Sequence, residues 1–283
     1  MAEVLINDDE NNFQQLVQMT TNVSNLNNPN IIHLHNHGTG TITRGANVIN
    51  NKKYLILDYC SKGDLLKYAN TGRFSERHAK FIFRKILNGV RALHGAGICH
   101  RNLALSSILL DQNFNPKICY FEFSTLFQAN NEIINLNDFV GKPNYASPQI
   151  LRCQAYNGSK ADIFSLGVVL FNLVACKFGF ENADKNDQFY RFIMANQFDK
   201  YWNALSTHHI NHQNFSQEFK DLYIRMVSFN ENNRPTIDQI LNDHWFNELQ
   251  GLNNEQLNQL EIDVRNEFLA RENQIQNAQL HDN

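Results

Sequence analysis

The sequence predicts an α+β protein with a reduced small lobe, a larger and mostly helical lobe, and a C-terminal helical extension. Short segments rich in branched and aromatic residues, typical of strands, occur near the N-terminus. Beyond Gly63, apolar residues recur mainly at helical spacing. Of the 283 residues, 42% are apolar, which is enough for a sizeable core.

The small lobe, residues 1–60, is predicted to contain one helix and about two antiparallel strands. Apolar residues from Phe13 to Leu26 recur at roughly helical spacing, and the helix ends before Asn-Asn-Pro. The segments NIIHLHNHG and KKYLILDYC predict the strands, and HGTGTIT between them is interpreted as a turn.

The large lobe, residues 61–246, is predicted to be built around two long helices. The segment SERHAKFIFRKILNGVRALHGAG has Ser75 as its N-cap and ends at glycines. The segment ADIFSLGVVLFNLVACKF predicts a buried central helix. Its most apolar part, Leu166 to Cys176, is too short to span a bilayer.

The extension, residues 247–283, is predicted to be an amphipathic helix. Its apolar residues recur every three or four positions, and charged residues lie between them. The apolar face either packs back on the large lobe or docks on another molecule. The residues of this face are Leu257, Leu260, Val264 and Phe268.

Composition excludes several function classes. A formal net charge of -3, without a long run of Lys or Arg, argues against nucleic acids and anionic membranes as partners. The N-terminus has no basic and apolar segment typical of a signal peptide, so we expect a cytoplasmic protein. Five scattered cysteines suggest neither a disulfide framework nor a zinc ribbon.

Two groups of histidines are interpreted as polar surface rather than metal ligands: His33, His35 and His37, and His208, His209 and His212.

Seven motifs follow one another along the chain. They are LNNPNII, LILDYCSKGDLLKY, ICHRNLALSSILLD, KICYFEF, VGKPNYASPQIL, KADIFSLGVVLFNLV and NRPTIDQIL. Each is weak alone, but in this order they resemble the landmarks of eukaryotic protein kinases from roughly Phe13 to Phe246. The resemblance implies the two-lobed kinase-like fold.

The resemblance also implies that structural residues of the family are retained. His100 and Arg101 match the first two residues of His-Arg-Asp, and Asp162 would accept backbone hydrogen bonds from that catalytic loop. Arg234 normally pairs with a glutamate. Here that position is Gln149, which can accept a hydrogen bond but cannot neutralise the charge.

The catalytic residues that the resemblance implies are replaced. Kinases use a Gly-rich loop, a strand Lys, a helix Glu, a catalytic-loop Asp, and an Asn and an Asp that bind magnesium. None of the six is recognisable at its position, and Asn102, at the catalytic Asp position, cannot accept a proton as a carboxylate does. The other replaced positions are Ala104 for Lys, Ser107 for the metal-binding Asn, Tyr120 and Glu122 for the Asp and Gly of Asp-Phe-Gly, and Lys142 for Thr.

The start of the chain predicts an incomplete sheet. Only about a dozen residues precede the first helix, where the family has three strands. The strand from Tyr54 to Cys60 would then have an unpaired edge, and proteins commonly cover such edges with another chain. We therefore expect other protein subunits to bind here, at Tyr54, Leu55, Ile56 and Leu57, and at the apolar face of the extension.

Together, these features predict a catalytically inactive pseudokinase without catalytic residues, metal or cofactor. It would be a structural or scaffolding subunit of a larger assembly, possibly in the cytoskeleton or a ciliary axoneme. Two alternatives remain open. One is an allosteric binding partner of an active kinase, and the other is residual nucleotide binding or atypical Ser/Thr kinase activity.

Overall fold

The α+β class is confirmed in the computed structural model, which describes residues 1–6, 9–44, 47–206 and 215–281. The small lobe contains a sheet of three strands and one helix. Its elements are β1 (Ala2–Ile6), α1 (Glu10–Ser24), β2 (Leu34–Arg44) and β3 (Asn47–Leu57).

Strand β1 pairs antiparallel with the edge that the sequence predicts to be free. Ala2 lies opposite Leu57 and Ile6 lies opposite Lys53, while β2 pairs with the other side of β3. Strand β3 is therefore the middle strand, and the prediction of an unpaired edge at Tyr54 to Cys60 is wrong. Leu55 and Leu57 are buried within the protein, so Tyr54, Leu55, Ile56 and Leu57 do not form a free edge for a partner.

The glycines of HGTGTIT lie within β2 and not in a turn. Gly38 lies opposite Tyr54 of β3, and a Cβ atom at Gly38 would come within 2.9 Å of the Tyr54 hydroxyl. Glycine is therefore needed because the tyrosine ring crosses the strand at this point. The strand continues to Arg44, well beyond the predicted segment.

The large lobe is mainly helical, and its strands are two or three residues long. Ser75 caps α3 as predicted by accepting a hydrogen bond from the His78 backbone. The helices are α2 (Leu65–Ala69), α3 (Glu76–Gly95), α4 (Pro148–Leu151), α5 (Gly158–Ala175), α6 (Tyr190–Met194), α7 (Phe198–Ser206), α8 (Gln217–Met226), α9 (Ile237–Leu241) and α10 (Asn247–Gln250). The strands are β4 (Gly63–Asp64), β5 (Ile98–Cys99), β6 (Ile108–Leu110), β7 (Pro116–Ile118), β8 (Thr125–Leu126), β9 (Gln128–Ala129), β10 (Glu132–Ile133), β11 (Asn135–Leu136) and β12 (Tyr156–Asn157).

Helix α5 is the central helix of the large lobe, and nearly all of its residues are buried. The Asn157 side chain caps its N-terminus by accepting hydrogen bonds from the backbones of Ser159 and Lys160. By length and composition, α5 is the one helix of the described residues that could cross a membrane. It is 83% buried inside the protein, as a core helix would be.

The C-terminal extension forms the long helix α11 (Asn254–His281), which packs back on the large lobe. Leu260, Val264 and Phe268 are buried, and Leu257 is partly buried. The Phe268 ring stacks on Phe114 with centroids 5.1 Å apart. Three of the four residues proposed as a docking face thus pack against the chain itself, as the first of the two predicted alternatives has it. Binding of other protein subunits stays a prediction.

Arg271 fastens α11 to the end of α2. Its guanidinium donates hydrogen bonds to the backbone carbonyls of Tyr68, Gly72 and Arg73 at 3.0, 2.6 and 2.8 Å. It also lies 3.7 Å from the centroid of the Phe74 ring. The Tyr68 carbonyl also accepts from Thr71, so the main effect of the buried cation is to provide donors to the carbonyls of Gly72 and Arg73.

We expect Arg271→Ala to destabilise the protein by about 3 kcal/mol, because it leaves buried carbonyls without donors. The thermal unfolding midpoint should fall by several degrees. Arg265→Ala, on the exposed side of the same helix, is the matched control and should leave the midpoint unchanged. Equal midpoints for the two variants would show that Arg271 does not hold the helix in place.

Candidate functional site

A buried carboxylate positions the loop that carries the candidate site. Asp162 of α5 is fully buried and accepts hydrogen bonds from the backbone N–H groups of His100 and Arg101, each at 2.8 Å. The ring of His94 contacts the same carboxylate at 2.9 Å. These are the backbone bonds that the kinase resemblance implies for Asp162.

His100 connects this loop to the segment after β7. Its Nε2 donates to the Cys119 carbonyl at 3.0 Å, and its Nδ1 accepts from the Asn102 backbone at 3.2 Å. Burial lowers the pKa of His100, so the ring is neutral, as this arrangement of one donor and one acceptor requires.

Arg101 joins the loop to the long segment that precedes α4. Its side chain donates to the Phe123 carbonyl at 2.6 Å and to both oxygens of Asp138 at 2.6 Å. Arg101 itself has a backbone φ of +64°, a conformation that costs a non-glycine residue energy. The ion pair with Asp138 and the contact with Tyr156 help to hold it there.

Asn102 and Glu122 are brought together at the centre of the site. The Asn102 amide donates from Nδ2 to Glu122 Oε1 at 3.1 Å. Asn102 is 9% exposed, and its Oδ1 atom is buried with no hydrogen-bond partner within the described residues. No sequence pattern indicated this contact, because the two residues lie twenty positions apart on different segments.

Tyr120 precedes this carboxylate and does not point into the core. Its φ is +68°, and 45% of its surface is exposed, whereas the neighbouring Phe121 is buried against His100. This left-handed residue lies two positions before Glu122, whose carboxylate reaches Asn102.

Two other replaced residues, Ala104 and Ser107, contact each other. The Ser107 hydroxyl accepts a hydrogen bond from the Ala104 backbone at 2.8 Å and donates to the Ala104 carbonyl at 2.9 Å. Ser107 thus closes a tight turn of the catalytic loop. Lys142, the remaining replaced residue, is exposed and donates to the Ser106 hydroxyl.

An apolar cavity of about 260 Å³ lies between the small lobe and the large lobe. Leu55 and Leu57 of β3 line it from the small lobe, and Leu109 and Cys119 line it from the large lobe. The chain that connects the lobes, residues 58–60, also lines it, as does Glu122. Strand β1 contributes Ala2.

Asp58, the first residue after β3, is held by a lysine and a histidine. Its carboxylate contacts His35 and Lys117, each at 2.9 Å. Burial alone would raise the pKa of the Asp58 carboxyl, but the bonds from Lys117 and His35 outweigh it and lower the pKa. The contact between His35 and Asp58 thus supports the connection between the lobes.

The histidines form no metal site within the described residues, where no group of three or more potential ligands is found. His33 contacts the Ser24 hydroxyl at 2.7 Å. The second group, His208, His209 and His212, lies outside the described residues.

Arg234 and Gln149 pair as the resemblance implies. The guanidinium donates from Nη2 to Gln149 Oε1 at 2.7 Å, and the amide of Gln149 donates to the Phe229 carbonyl. Burial lowers the pKa of Arg234 to about 10, and the charges of Tyr190 and Glu231 offset only part of this effect. The residue lies 5.0 Å from the centre of the Phe164 ring, which adds a cation–π contact.

Comparison with known sequences identifies the family. The family described as "Protein kinase domain" matches residues 4–246. The chain belongs to the protein kinase family. This match begins in β1 and ends at the close of the large lobe, so it includes the strand that sequence reasoning missed.

Curated relatives of this kinase chain carry the names of serine/threonine kinases. CBL-interacting serine/threonine-protein kinase 26 of Arabidopsis thaliana is 30% identical over 78% of this chain and 46% of its own length. Serine/threonine-protein kinase kin-29 of Caenorhabditis elegans is 35% identical over 70% of this chain and 22% of its own. NUAK family SNF1-like kinase 1 of Homo sapiens is 32% identical over 80% of this chain and 30% of its own length. The chain therefore spans less than half the length of each.

The interpretation of this kinase-family chain as an inactive scaffold is contradicted by these relatives. Each is named as a kinase, and none of the names describes a structural subunit of the cytoskeleton or a cilium. Replacement of individual residues was therefore an insufficient basis for predicting inactivity. The domain boundaries, the cytoplasmic location and the exclusion of nucleic-acid and membrane partners stay predictions.

We expect the Arg101–Asp138 ion pair to make stability depend on pH. Burial raises the pKa of Asp138, but the bonds and charge of Arg101 outweigh it and hold the pKa below the ordinary 3.8. A carboxyl whose pKa is lowered by folding stabilises the protein above its unfolded pKa, and this contribution is lost as the pH falls through the folded pKa. Asp138→Asn should therefore lower the free energy of unfolding at neutral pH by less than about 1 kcal/mol, because Asp138 is half exposed, and the thermal midpoint should fall accordingly.

The measurement is the difference in thermal midpoint between the wild type and Asp138→Asn from pH 7 downwards. The difference should be constant at neutral pH, shrink below pH 3.8 and disappear below the folded pKa of Asp138. Asp199→Asn, an exposed carboxylate on α7, is the control and should give no such gap. A gap that persists in acid would mean that the pair is not the cause.

Proposed function

We propose that the chain binds a purine nucleoside triphosphate between its lobes and transfers a phosphoryl group to a serine or threonine hydroxyl. The observation that carries this proposal is the apolar cavity that is lined by Glu122 and roofed by β1 and β3. The names of the relatives support the same reaction class. This proposal replaces the inactive scaffold as the function of the chain.

The cavity suits the flat, apolar faces of a purine ring. Its volume of about 260 Å³ is slightly below that of typical ligand pockets, which span roughly 300–1,000 Å³. Such pockets are mainly apolar with a few polar groups that fix orientation. Aliphatic and aromatic side chains form most of the lining here, and Glu122 and Asp58 supply polar groups.

Kinases of this family use Mg²⁺, and the chain offers oxygen atoms for it next to the cavity. Mg²⁺ is typically bound by one or two carboxylates together with substrate phosphates. Asn102 Oδ1 is buried without a partner among the described residues, and the Glu122 carboxylate is hydrogen-bonded to the same amide. Asn102 and Glu122 are thus the residues that would hold the ion. When bound, Mg²⁺ neutralises charge on the transferring phosphate.

The residues themselves would act mainly by charge and position. Phosphoryl transfer passes through a loose transition state, so a kinase gains most of its rate from electrostatic stabilisation and orientation. The negative charge of Glu122 would hold the metal ion, and the hydrogen bond from Asn102 fixes the direction of the carboxylate. Asn102 is itself held by the His100 ring through its backbone.

We expect ATP with Mg²⁺ to raise the unfolding midpoint in a concentration-dependent way. A ligand that binds only the folded state adds about 2.7 kcal/mol to the free energy of unfolding when its concentration is one hundred times its dissociation constant. Leu57→Phe should reduce the effect, because the larger ring occupies the cavity. Ile262→Phe, on the exposed side of α11, is the control and should respond like the wild type. A midpoint that does not change with ATP would refute nucleotide binding.

Transfer is tested separately with γ-labelled ATP and a library of serine- and threonine-containing peptides. Glu122→Gln should lower the rate by about tenfold to a thousandfold, because the negative charge is lost while the shape is kept. Glu132→Gln removes an exposed carboxylate from β10 in the same segment and should have no effect. Binding of ATP without measurable label on any peptide would contradict the proposed transfer.

A further inference from the structure

A lysine of the segment before α4 is held against the catalytic loop. Three contacts attach residues 138–142 to that loop. Asp138 pairs with Arg101, Gly141 packs on the Arg101 carbonyl, and Lys142 donates to the Ser106 hydroxyl. The position of the Lys142 ammonium is therefore set by backbone packing as well as by its own hydrogen bond.

The closest of these three approaches is that of Gly141 to the Arg101 carbonyl. Its φ is +84°, and a Cβ atom there would lie 2.3 Å from the Arg101 carbonyl oxygen. No residue with a side chain fits at that distance, so the segment can approach the loop closely only with glycine at this position. Lys142 follows directly, and Pro143 after it restricts the backbone.

The ammonium of Lys142 has no carboxylate partner. Across the part of the chain that the structure describes, its hydrogen-bond partner is the neutral Ser106 hydroxyl. Many other lysines of the protein are different, since Lys53, Lys62, Lys80, Lys85 and Lys117 each pair with an acidic side chain. An exposed cation that is fixed in place and lacks a counter-ion is able to bind an anion from solution.

Asn102 lies beside Lys142 and has an unpartnered acceptor, which suits the metal ion that would accompany the phosphates and not the phosphates themselves. Asn102 and Lys142 line one small cavity of about 10 Å³, together with Tyr145 and Arg101. Asn102 is more than nine-tenths buried, and its Oδ1 atom has no partner within the described residues. Through Asn102, the cation at Lys142 is linked to the carboxylate at Glu122 and hence to the nucleotide cavity.

We propose that Lys142 binds the phosphate chain of the nucleotide and supplies the positive charge for phosphoryl transfer in this protein. A lysine is suited to this task because it carries a compact charge and three rotatable donors. The catalytic loop itself has Ala104 where a cation is expected, so the positive charge comes from the neighbouring segment. This inference rests on the proposed nucleotide site, but its test separates the two.

The test compares binding of ATP, adenosine and inorganic tripolyphosphate to the full chain by calorimetric titration. Low ionic strength is used because salt screens an exposed charge. Lys142→Gln should weaken the binding of ATP and tripolyphosphate about fivefold to tenfold and leave the affinity for adenosine unchanged. Lys142→Arg keeps the charge and should bind ATP within about twofold of the wild type. Lys185→Gln, at an exposed position elsewhere, should match the wild type for all three probes.

The probes distinguish failure of the lysine from failure of the cavity. Equal affinities of the wild type and Lys142→Gln for ATP and tripolyphosphate would overturn the role of Lys142, even if adenosine binds. Tripolyphosphate binding that depends on Lys142, without any binding of adenosine, would support the lysine and contradict the nucleotide cavity. If none of the three probes binds the wild type, both proposals are wrong.

Discussion

The arrangement of the site depends on one buried carboxylate, that of Asp162. A charge without access to water is stable only when it is fully hydrogen-bonded, and here the donors include two successive backbone N–H groups of the catalytic loop. This requirement fixes the loop at His100 and Arg101, and the strained φ of Arg101 is maintained because the Asp162 bonds require it. The interactions of Asn102 and Arg101 with other segments follow from that fixed loop.

Three segments meet at this loop, and each is held by a different kind of interaction. The segment after β7 is bound through the His100 ring and the Cys119 carbonyl. The segment before α4 is bound through the ion pair of Arg101 with Asp138 and through close backbone packing at Gly141. The loop is therefore a junction, and a change in any one of the three segments would be transmitted to Asn102.

Retained motifs made part of this architecture predictable from the sequence. Asp162 and the pair of Arg234 with Gln149 lie in motifs whose order is specific, so their partners could be named in advance. The helical spacing of Leu260, Val264 and Phe268 likewise predicted α11, although periodicity gives an apolar face without saying what covers it. Arg271 had no such signal, since a surface arginine and a buried one look the same in a sequence.

Strand β1 and the contact of Asn102 with Glu122 could not be predicted for a different physical reason. A five-residue strand is stabilised by the neighbour that it pairs with, and the sequence AEVLI has too few residues to show a reliable period. The contact of Glu122 with Asn102 follows the left-handed backbone at Tyr120, a conformation that residue preference argues against. In both cases, a tertiary interaction outweighs the local tendency of the chain.

A comparison of single motif positions does not describe all the charges that surround the site. A carboxylate is absent at position 102, but Glu122 contacts the residue that stands there. A lysine is absent at position 104, but Lys142 reaches Ser106, two residues further on, from another segment. Electrostatic stabilisation depends on where charge lies in space and not on which segment supplies it. A family member can therefore lose each expected residue and still bring a cation and an anion to the same loop. For this reason, the distribution of charge around Asn102 is a better guide to the chemistry of the site than the motif alone.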